Sequence, residues 1–195
     1  MALANVNELK SAVADYTTRG DLPLNVLIAL AETKFASVVK HRLSEKYVEI
    51  AVAASSASFP LPADFKEGRS LKVNHEPLRL ASIDALNADP GCTNQYAIVG
   101  NTVRLQSRPA KDTTVALVYY SRVPALTDAN QTNWLLSAFP DVYLYGVLLE
   151  YAIWAQDADK QTSYGTLLAT ALANLTADHA KGSFSGSTLQ SRRFA

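Results

Sequence analysis

Few residues in this sequence have the type and spacing that catalysis or metal binding requires. The three histidines, His41, His75 and His179, are far apart and show no metal-ligand spacing such as HExxH or CxxC. The one cysteine, Cys92, has no partner for an internal disulfide and no adjacent base to activate it. We therefore expect ordinary histidines, an inert thiol, no metal site and no cofactor.

Glu150 is the carboxylate that most invites a catalytic interpretation, because it interrupts an apolar helix. A glycosidase needs a second carboxylate facing the first. Asp141 lies nine positions away, which is about 13 Å along a helix axis. Asp157 and Asp159 lie at a helix start, where negative charge is favoured anyway. We expect Glu150 to pair with a cation or with a neighbouring subunit.

Other motifs that carry chemistry do not occur in the sequence. It has no P-loop, no GxGxxG and no GxSxG. The segment Asp128–Asn130 faintly resembles a calcium loop, but it lacks the glycine and the distal glutamate of that motif. We predict an ordinary loop there and a protein that is not an enzyme.

The element that organises the chain is an apolar helix over residues 141–154. Pro140 suits its first turn, and apolar side chains surround its axis, so the helix is expected to be buried on every side. A polar loop, 127–132, precedes it and ends at the run 133–136. The two tryptophans, Trp134 and Trp154, fit either core anchors or subunit contacts.

Three further helices are predicted from apolar residues at helical spacing. The first covers 6–18, with Asn5 or Asn7 as its cap and Gly20 after its end. The second follows Asp21, a predicted cap, and runs to about residue 41. The third covers about 157–177.

The pattern of residues in the middle of the chain predicts a small antiparallel β region of five or six strands. Its clearest signal is a hairpin around Gly100-Asn101, between two alternating runs. The predicted fold is α+β: a four-helix bundle formed by the N- and C-terminal helix pairs and interrupted by a β subdomain. The expected boundaries are 1–44, 45–123 and 124–180, followed by an extended tail at 181–195.

The composition limits the classes of function that the protein can have. The chain has 195 residues, 48% of them hydrophobic, and 18 Lys plus Arg balance 18 Asp plus Glu. Zero net charge argues against a dedicated nucleic-acid binder, although not against a wall past which DNA slides. We see no signal peptide and no membrane span, and we expect assembly in the host cytoplasm.

An ordered series of short motifs gives a more specific indication. Earlier landmarks are Leu61–Phe65 and Tyr96–Asn101. The later series consists of Tyr119, Tyr120, Pro124, Ala125, Leu126, Thr127, Asn133, Trp134, Leu135, Leu136, Pro140, Asp141, Tyr143, Leu144, Tyr145, Gly146, Leu148 and Glu150. The series resembles the head-to-tail adaptor proteins of short-tailed bacteriophages, over roughly residues 25–180.

The resemblance implies a structural virion protein at the head–tail junction. Such a protein forms a ring, dodecameric in the family, that docks on the portal protein and closes the DNA-filled head. It offers an attachment platform to tail proteins of the nozzle, hub or fibre. DNA would pass through its channel without sequence-specific binding.

The C-terminal segment, 181–195, is rich in Ser and Gly but retains apolar and basic residues. We predict that it orders on a partner surface. Its candidate partner-binding residues are Phe184, Leu189, Arg192, Arg193 and Phe194.

Two alternatives remain open on the sequence. The protein fits another tail or baseplate subunit with the same plan of helices and strands. Less well, it fits a virion-associated cell-wall hydrolase that uses Glu150 and an aspartate.

Overall fold

The structure is a computed structural model that describes residues 3–88 and 93–184. The chain divides into two compact units. The helical unit contains the chain up to Ser44 and again from Val123 onward, and the β unit runs from Glu45 to Arg122.

The helical unit is built around one helix, as the sequence predicts. Its α-helices are α1 (Val6–Thr17), α2 (Leu24–Val38), α4 (Trp134–Ala138), α5 (Pro140–Trp154) and α6 (Ala158–Phe184). A 3-10 turn, η1 (Arg42–Ser44), follows α2. Helix α5 packs on α1, α2, α4 and α6, which explains why its sequence is apolar almost all round. Its last turn departs from the prediction, because Ile153 and Trp154 are 41% and 49% exposed.

The described residues of the β unit form seven strands in a mixed, nearly closed sheet. They are β1 (Glu45–Val52), β2 (Ser58–Pro60), β3 (Phe65–Val73), β4 (Glu76–Leu80), β5 (Gln95–Val99), β6 (Thr102–Leu105) and β7 (Thr113–Ser121), with α3 (Ile83–Ala88) between β4 and β5. The strand order is β1-β7-β3-β4-β5-β6-β2. The apolar face of this sheet forms a core of its own around Leu71, Val103, Val115 and Leu117.

The predicted four-helix bundle with a small antiparallel β subdomain is therefore wrong. The described part of the helical unit has a fifth helix, α4, because Asn133 caps one short turn before Pro140 begins the next helix. In the β unit, β4 pairs with β5 in parallel. A parallel pair needs a crossover connection, and α3 lies in that connection.

The prolines Pro60 and Pro62, separated by one residue, predict an extended corner at 59–62, but Phe59 and Pro60 lie in the edge strand β2. It pairs with β6 alone, at one end of the strand order. A proline is tolerated in such a strand because no neighbour on its other side needs its missing N–H. Counting this segment as a corner is one reason why the predicted strand number was too low.

Helix ends differ from the sequence expectation in three places. Thr18, not Gly20, takes the left-handed conformation after α1, with φ 52°. Helix α2 begins without a side-chain cap, because its N-cap residue is Pro23 and not Asp21; Asp21 accepts two hydrogen bonds from Arg19, at 3.0 and 2.7 Å. Helix α6 continues to Phe184, so residues 181–184 are helical rather than extended. The remainder of the predicted tail lies outside the described residues.

Candidate functional site

The loop that carries the first half of the motif series is held at both ends by Asn133. Its backbone is extended, with φ −146° and ψ 172°. Its Oδ1 accepts a hydrogen bond from the Leu136 N–H at 2.9 Å, which caps α4. Its Nδ2 donates to the Pro124 carbonyl oxygen at 2.7 Å and to the Tyr143 hydroxyl at 2.7 Å. One amide thus connects the start of the loop, the start of α4 and the inside of α5.

The Tyr143 hydroxyl extends this connection to α2. It donates to Glu32 Oε1 at 2.9 Å, and the Leu126 N–H donates to the same oxygen at 2.8 Å. The Tyr143 side chain is fully buried. The result is a polar network, defined by Glu32, Leu126, Asn133 and Tyr143, in which each hydrogen-bonding group named here has a partner.

Burial sets the electrostatics of this network. Loss of water around the carboxyl raises the pKa of Glu32, and the hydrogen bonds from Leu126 and Tyr143 act in the opposite direction. Burial also raises the pKa of Tyr143 well above its usual range. Tyr143 therefore keeps its proton and acts as a hydrogen-bond donor. Because Tyr143 has no access to solvent, the network fastens the loop to α2 and α5 rather than presenting a reactive group.

Gly146 has a steric role. A Cβ built on it would lie 2.3 Å from Phe35 Cζ and 2.9 Å from Phe35 Cε1. The Phe35 ring also contacts Tyr143 edge-on, with ring centroids 5.3 Å apart. Glycine is needed here because the aromatic ring occupies the space of a side chain on α5.

Glu150 has the cation partner that a carboxylate on an apolar helix requires. Lys34 Nζ of α2 lies 2.5 Å from Glu150 Oε1. The carboxylate side chain is 6% exposed and that of the lysine is 54% exposed. The ion pair therefore links α2 to α5, with the lysine at the protein surface and the carboxylate buried.

A second cluster fixes the far end of α6 to the turn after α2. His41 is fully buried, and its Nε2 lies 3.0 Å from Asp178 Oδ2. Arg42 Nη2 donates to the same oxygen at 3.2 Å, and the Arg42 N–H donates to His179 Nδ1 at 3.1 Å. The Leu43 N–H lies 3.3 Å from His41 Nδ1, which makes this nitrogen an acceptor and leaves Nε2 to donate.

The surroundings of His41 favour its neutral form. Its ring stacks on Trp134 with centroids 5.6 Å apart and contacts Phe139 edge-on at 5.2 Å. Burial lowers the pKa of His41, and the neighbouring carboxylate of Asp178 only partly opposes this. The same contact, with that from Arg42, holds the pKa of Asp178 below its usual range.

The remaining motif residues are mostly packing residues. Leu126 and Leu135 are buried in the core of the helical unit, and Gly146 is buried against Phe35. Four others are less enclosed: Trp134, Pro140 and Tyr145 are half-buried, and Pro124 is exposed. Trp134 packs on the core, whereas Trp154 lies on the surface beneath the guanidinium of Arg19, 5.5 Å from the ring centroid.

The candidate partner-binding residues cannot be described in the same way. Phe184 ends α6. The other four, Leu189, Arg192, Arg193 and Phe194, lie outside the described residues, as does Cys92.

Within residues 3–88 and 93–184, no group of three or more His, Cys, Asp or Glu could hold a metal ion. No helix in the same ranges is long and apolar enough to cross a membrane. His75 lies in an exposed turn with φ 70°. The structure thus brings two of the three histidines, His41 and His179, together with Asp178, with ring centroids 5.7 Å apart.

Sequence reasoning missed Glu32, Lys34 and Asp178. Glu32 and Lys34 are the two charged residues of the otherwise uncharged helix α2, and this isolation is a signal that could have marked both as internally paired. Asp178 carries no such signal, because its partner His41 lies 137 positions away in the chain.

Comparison with protein families places these features in a known group. The profile of the SU10 adaptor protein family matches residues 4–191. A comparison with curated proteins found no match. The matched range contains every motif residue of the ordered series, and it includes both units of the structure. The chain therefore belongs to the SU10 adaptor protein family, a finding that confirms the resemblance to phage head-to-tail adaptors and makes the protein a structural component of a virion.

Proposed function

We propose that the protein forms the adaptor ring at the head–tail junction of a phage particle. The ring docks on the portal protein, closes the DNA-filled head and offers an attachment platform to tail proteins. The observation that carries this proposal is the family match over residues 4–191. The finer statements, a ring and docking on the portal, are our own extension of it.

The surface of the helical unit supports an assembly role. In the described part of this unit, eight large apolar residues are more than 40% exposed. They are Tyr16, Val26, Leu30, Val38, Leu43, Ile153, Trp154 and Leu167. Exposed apolar side chains mark protein–protein contact surfaces where they lie together, and three of the eight lie on one helix, α2. We assign contacts between copies, and with the portal, to this unit.

The exposed face of α2 is the clearest part of that surface. Val26, Leu30 and Val38 are 57%, 48% and 61% exposed. Both charged residues of the helix have internal partners: Glu32 in the polar network and Lys34 on Glu150. Burying this face in an assembly would remove water from Lys34, which is 54% exposed, but the lysine would keep Glu150 as its counter-charge.

The charge balance suits a channel protein. With 18 basic and 18 acidic residues the chain carries no net charge, so a ring of such subunits does not hold DNA by a general electrostatic attraction. DNA could then pass through during packaging and ejection.

The C-terminal segment is the second proposed contact. Leu189 and Phe194 supply apolar anchors, and Arg192 and Arg193 supply cations for acidic groups on a partner. Phe184, which also belongs to this segment, is the last residue of α6.

Native mass spectrometry with the cognate portal tests the proposal. Full-length protein and a variant truncated after Phe184 are each measured alone and with portal. We expect free protein to become a ring on the portal, and the truncated variant to bind less. A matched control is Gly165→Ala, which introduces a methyl group where nothing lies within 4 Å.

Failure of both forms to bind portal would contradict the adaptor ring. Binding to tail components in the same experiment would then favour a tail or baseplate subunit.

A further inference from the structure

The helical unit contains a small apolar cavity where α2 and α6 flank α5. Its volume is about 120 Å³. Its apolar lining consists of Ala31, Phe35, Val38, Gly146, Leu168 and Leu172. Val38 is 61% exposed and stands at its mouth, so the cavity opens to the surface.

The cavity has the size of one aromatic ring. A closed apolar cavity of about 150 Å³ binds benzene in another protein. Gly146 contributes to the lining because it lacks a side chain, and Phe35 leaves the remaining space beside it. A single phenyl group entering from the surface would be held by apolar contacts on several sides.

The polar part of the lining is one ion pair. Glu150, 6% exposed, and Lys34, 54% exposed, both border the cavity. The carboxylate is the more enclosed of the two charges, so an incoming cation next to the ring would find a partly desolvated anion.

The chain carries a segment that matches both features. We infer that Phe194 of the same chain occupies this cavity, and that Arg193 beside it reaches Glu150. Phe194 is the aromatic residue among residues 185–195, and two arginines precede it directly.

Chain length selects Phe194 over Leu189. From Leu172, at the cavity, to Phe184 is twelve helical residues, which is about 18 Å along the axis. Ten further residues reach Phe194 and can return over about 33 Å when extended. Only five reach Leu189, which gives about 17 Å and leaves no length for the chain to turn back at the end of α6.

The tether favours the segment of the same chain over that of a second copy. A short tether holds its end at an effective concentration in the millimolar range, above that of a neighbouring molecule in dilute solution. In the free protein, Phe194 is thus bound in the cavity of its own chain. The consequence that a partner must displace this segment rests on the proposed function, whereas the docking itself does not.

Site-directed cross-linking of the isolated protein tests the inference. In a Cys92→Ser background, Ala195→Cys is paired with Val38→Cys at the cavity mouth and treated with a short bismaleimide. The matched control pairs Ala195→Cys with Tyr16→Cys, because Tyr16 is 57% exposed but does not line the cavity. Both cavity and control positions are exposed, so neither substitution removes core packing.

We expect cross-linked monomer from the Val38 pair, formed at least about tenfold faster than from the Tyr16 pair. Adding Phe194→Ala should reduce the rate to the control level. Equal rates for the two pairs, or no effect of Phe194→Ala, would overturn the inference. Cross-linked dimers would also overturn it, since they would assign the cavity to a second copy's segment. No portal is present, so the outcome is independent of the adaptor test.

Discussion

The two units of the chain differ in how their interiors are made. Six polar or charged residues are buried in the described chain, and five of them belong to the helical unit. Those five are Thr17, His41, Ser44, Asn133 and Glu150, and the one in the β unit is Ser121. The helical interior thus contains specific polar pairings, whereas the β interior is held by apolar side chains across paired strands.

The two units also differ at the surface. Among the residues that the structure describes, large apolar side chains above 40% exposure number eight in the helical unit and three in the β unit, where they are Tyr47, Leu80 and Val99. The helical unit, which buries more polar residues, therefore also exposes more large apolar side chains. This difference supports our proposal that the helical unit makes the contacts with partners.

The largest effect should come from Gly146→Ala. The new methyl group would meet the Phe35 ring at 2.3 Å, and overpacking of this kind costs about 3 kcal/mol of unfolding free energy. Gly165→Ala is the matched control in α6, where the space is open and alanine should stabilise the helix by about 0.5 to 1 kcal/mol. Urea unfolding of both variants measures the difference. Equal stabilities would show that α2 and α5 are not in close contact.

Asn133→Ala tests whether the polar pairing determines the helical unit. It removes the cap of α4 and leaves the Pro124 carbonyl without its donor, so we expect a loss of about 2 kcal/mol. Asn5→Ala is the control, because Asn5 caps α1 through solvent-exposed hydrogen bonds, and this substitution should cost about 1 kcal/mol. Chemical denaturation compares the two. A smaller loss for Asn133→Ala than for Asn5→Ala would contradict the network.

The pH dependence of stability should depend on His41. Burial lowers its pKa below the ordinary value of 6.5, so the unfolded chain binds this proton more tightly than the folded one. Its contribution to stability is complete above pH 6.5 and is lost as the pH falls through the folded pKa. We therefore expect this group to make the protein less stable at pH 5.5 than at pH 7.5.

His41→Gln should remove that part of the slope, and His75→Gln, in an exposed turn, should not. Other groups facing His41, namely Asp178, Arg42 and His179, remain in both variants. The raised pKa of Glu32 has the opposite sign, since the folded state binds that proton more tightly. The contribution of Glu32 to the pH dependence is the same in both variants, so it cancels when their slopes are compared. Identical slopes would show that His41 does not titrate differently on folding.

The smallest effect concerns a turn of the β unit. The β3–β4 hairpin turns at Asn74 and His75, with φ 49° and 70°. A glycine adopts such angles without strain, so His75→Gly should stabilise the protein by about 0.5 kcal/mol. Gly100→Ala, at φ 60° in the β5–β6 hairpin, should destabilise it. Differential scanning calorimetry measures both shifts, and a loss of stability in His75→Gly would contradict this explanation.

Local patterns in the sequence predicted the local elements well. The apolar spacing predicted α1, α2, α5 and α6, Asn5 was correctly expected as a cap, and Gly100-Asn101 was correctly expected as a hairpin turn. These features depend on residues within a few positions of one another, so the sequence contains their signal directly.

Features that depend on distant residues were missed. The parallel pairing of β4 with β5 is one case, since each strand alone gives no sign of its neighbour's direction. Glu32 is another, because its partner Tyr143 lies 111 positions later. The motif residue Asn133 was identified from the family series, but its hydrogen bonds to Pro124 and Tyr143 required the structure.

Hydrogen–deuterium exchange with and without the cognate portal tests the central claim most directly, namely that the helical unit makes the assembly contacts. We predict new protection in peptides from α2 and from residues 185–195 when portal is added, with peptides from β3 and β7 unchanged. Protection confined to the β unit, with α2 unaffected, would contradict the account.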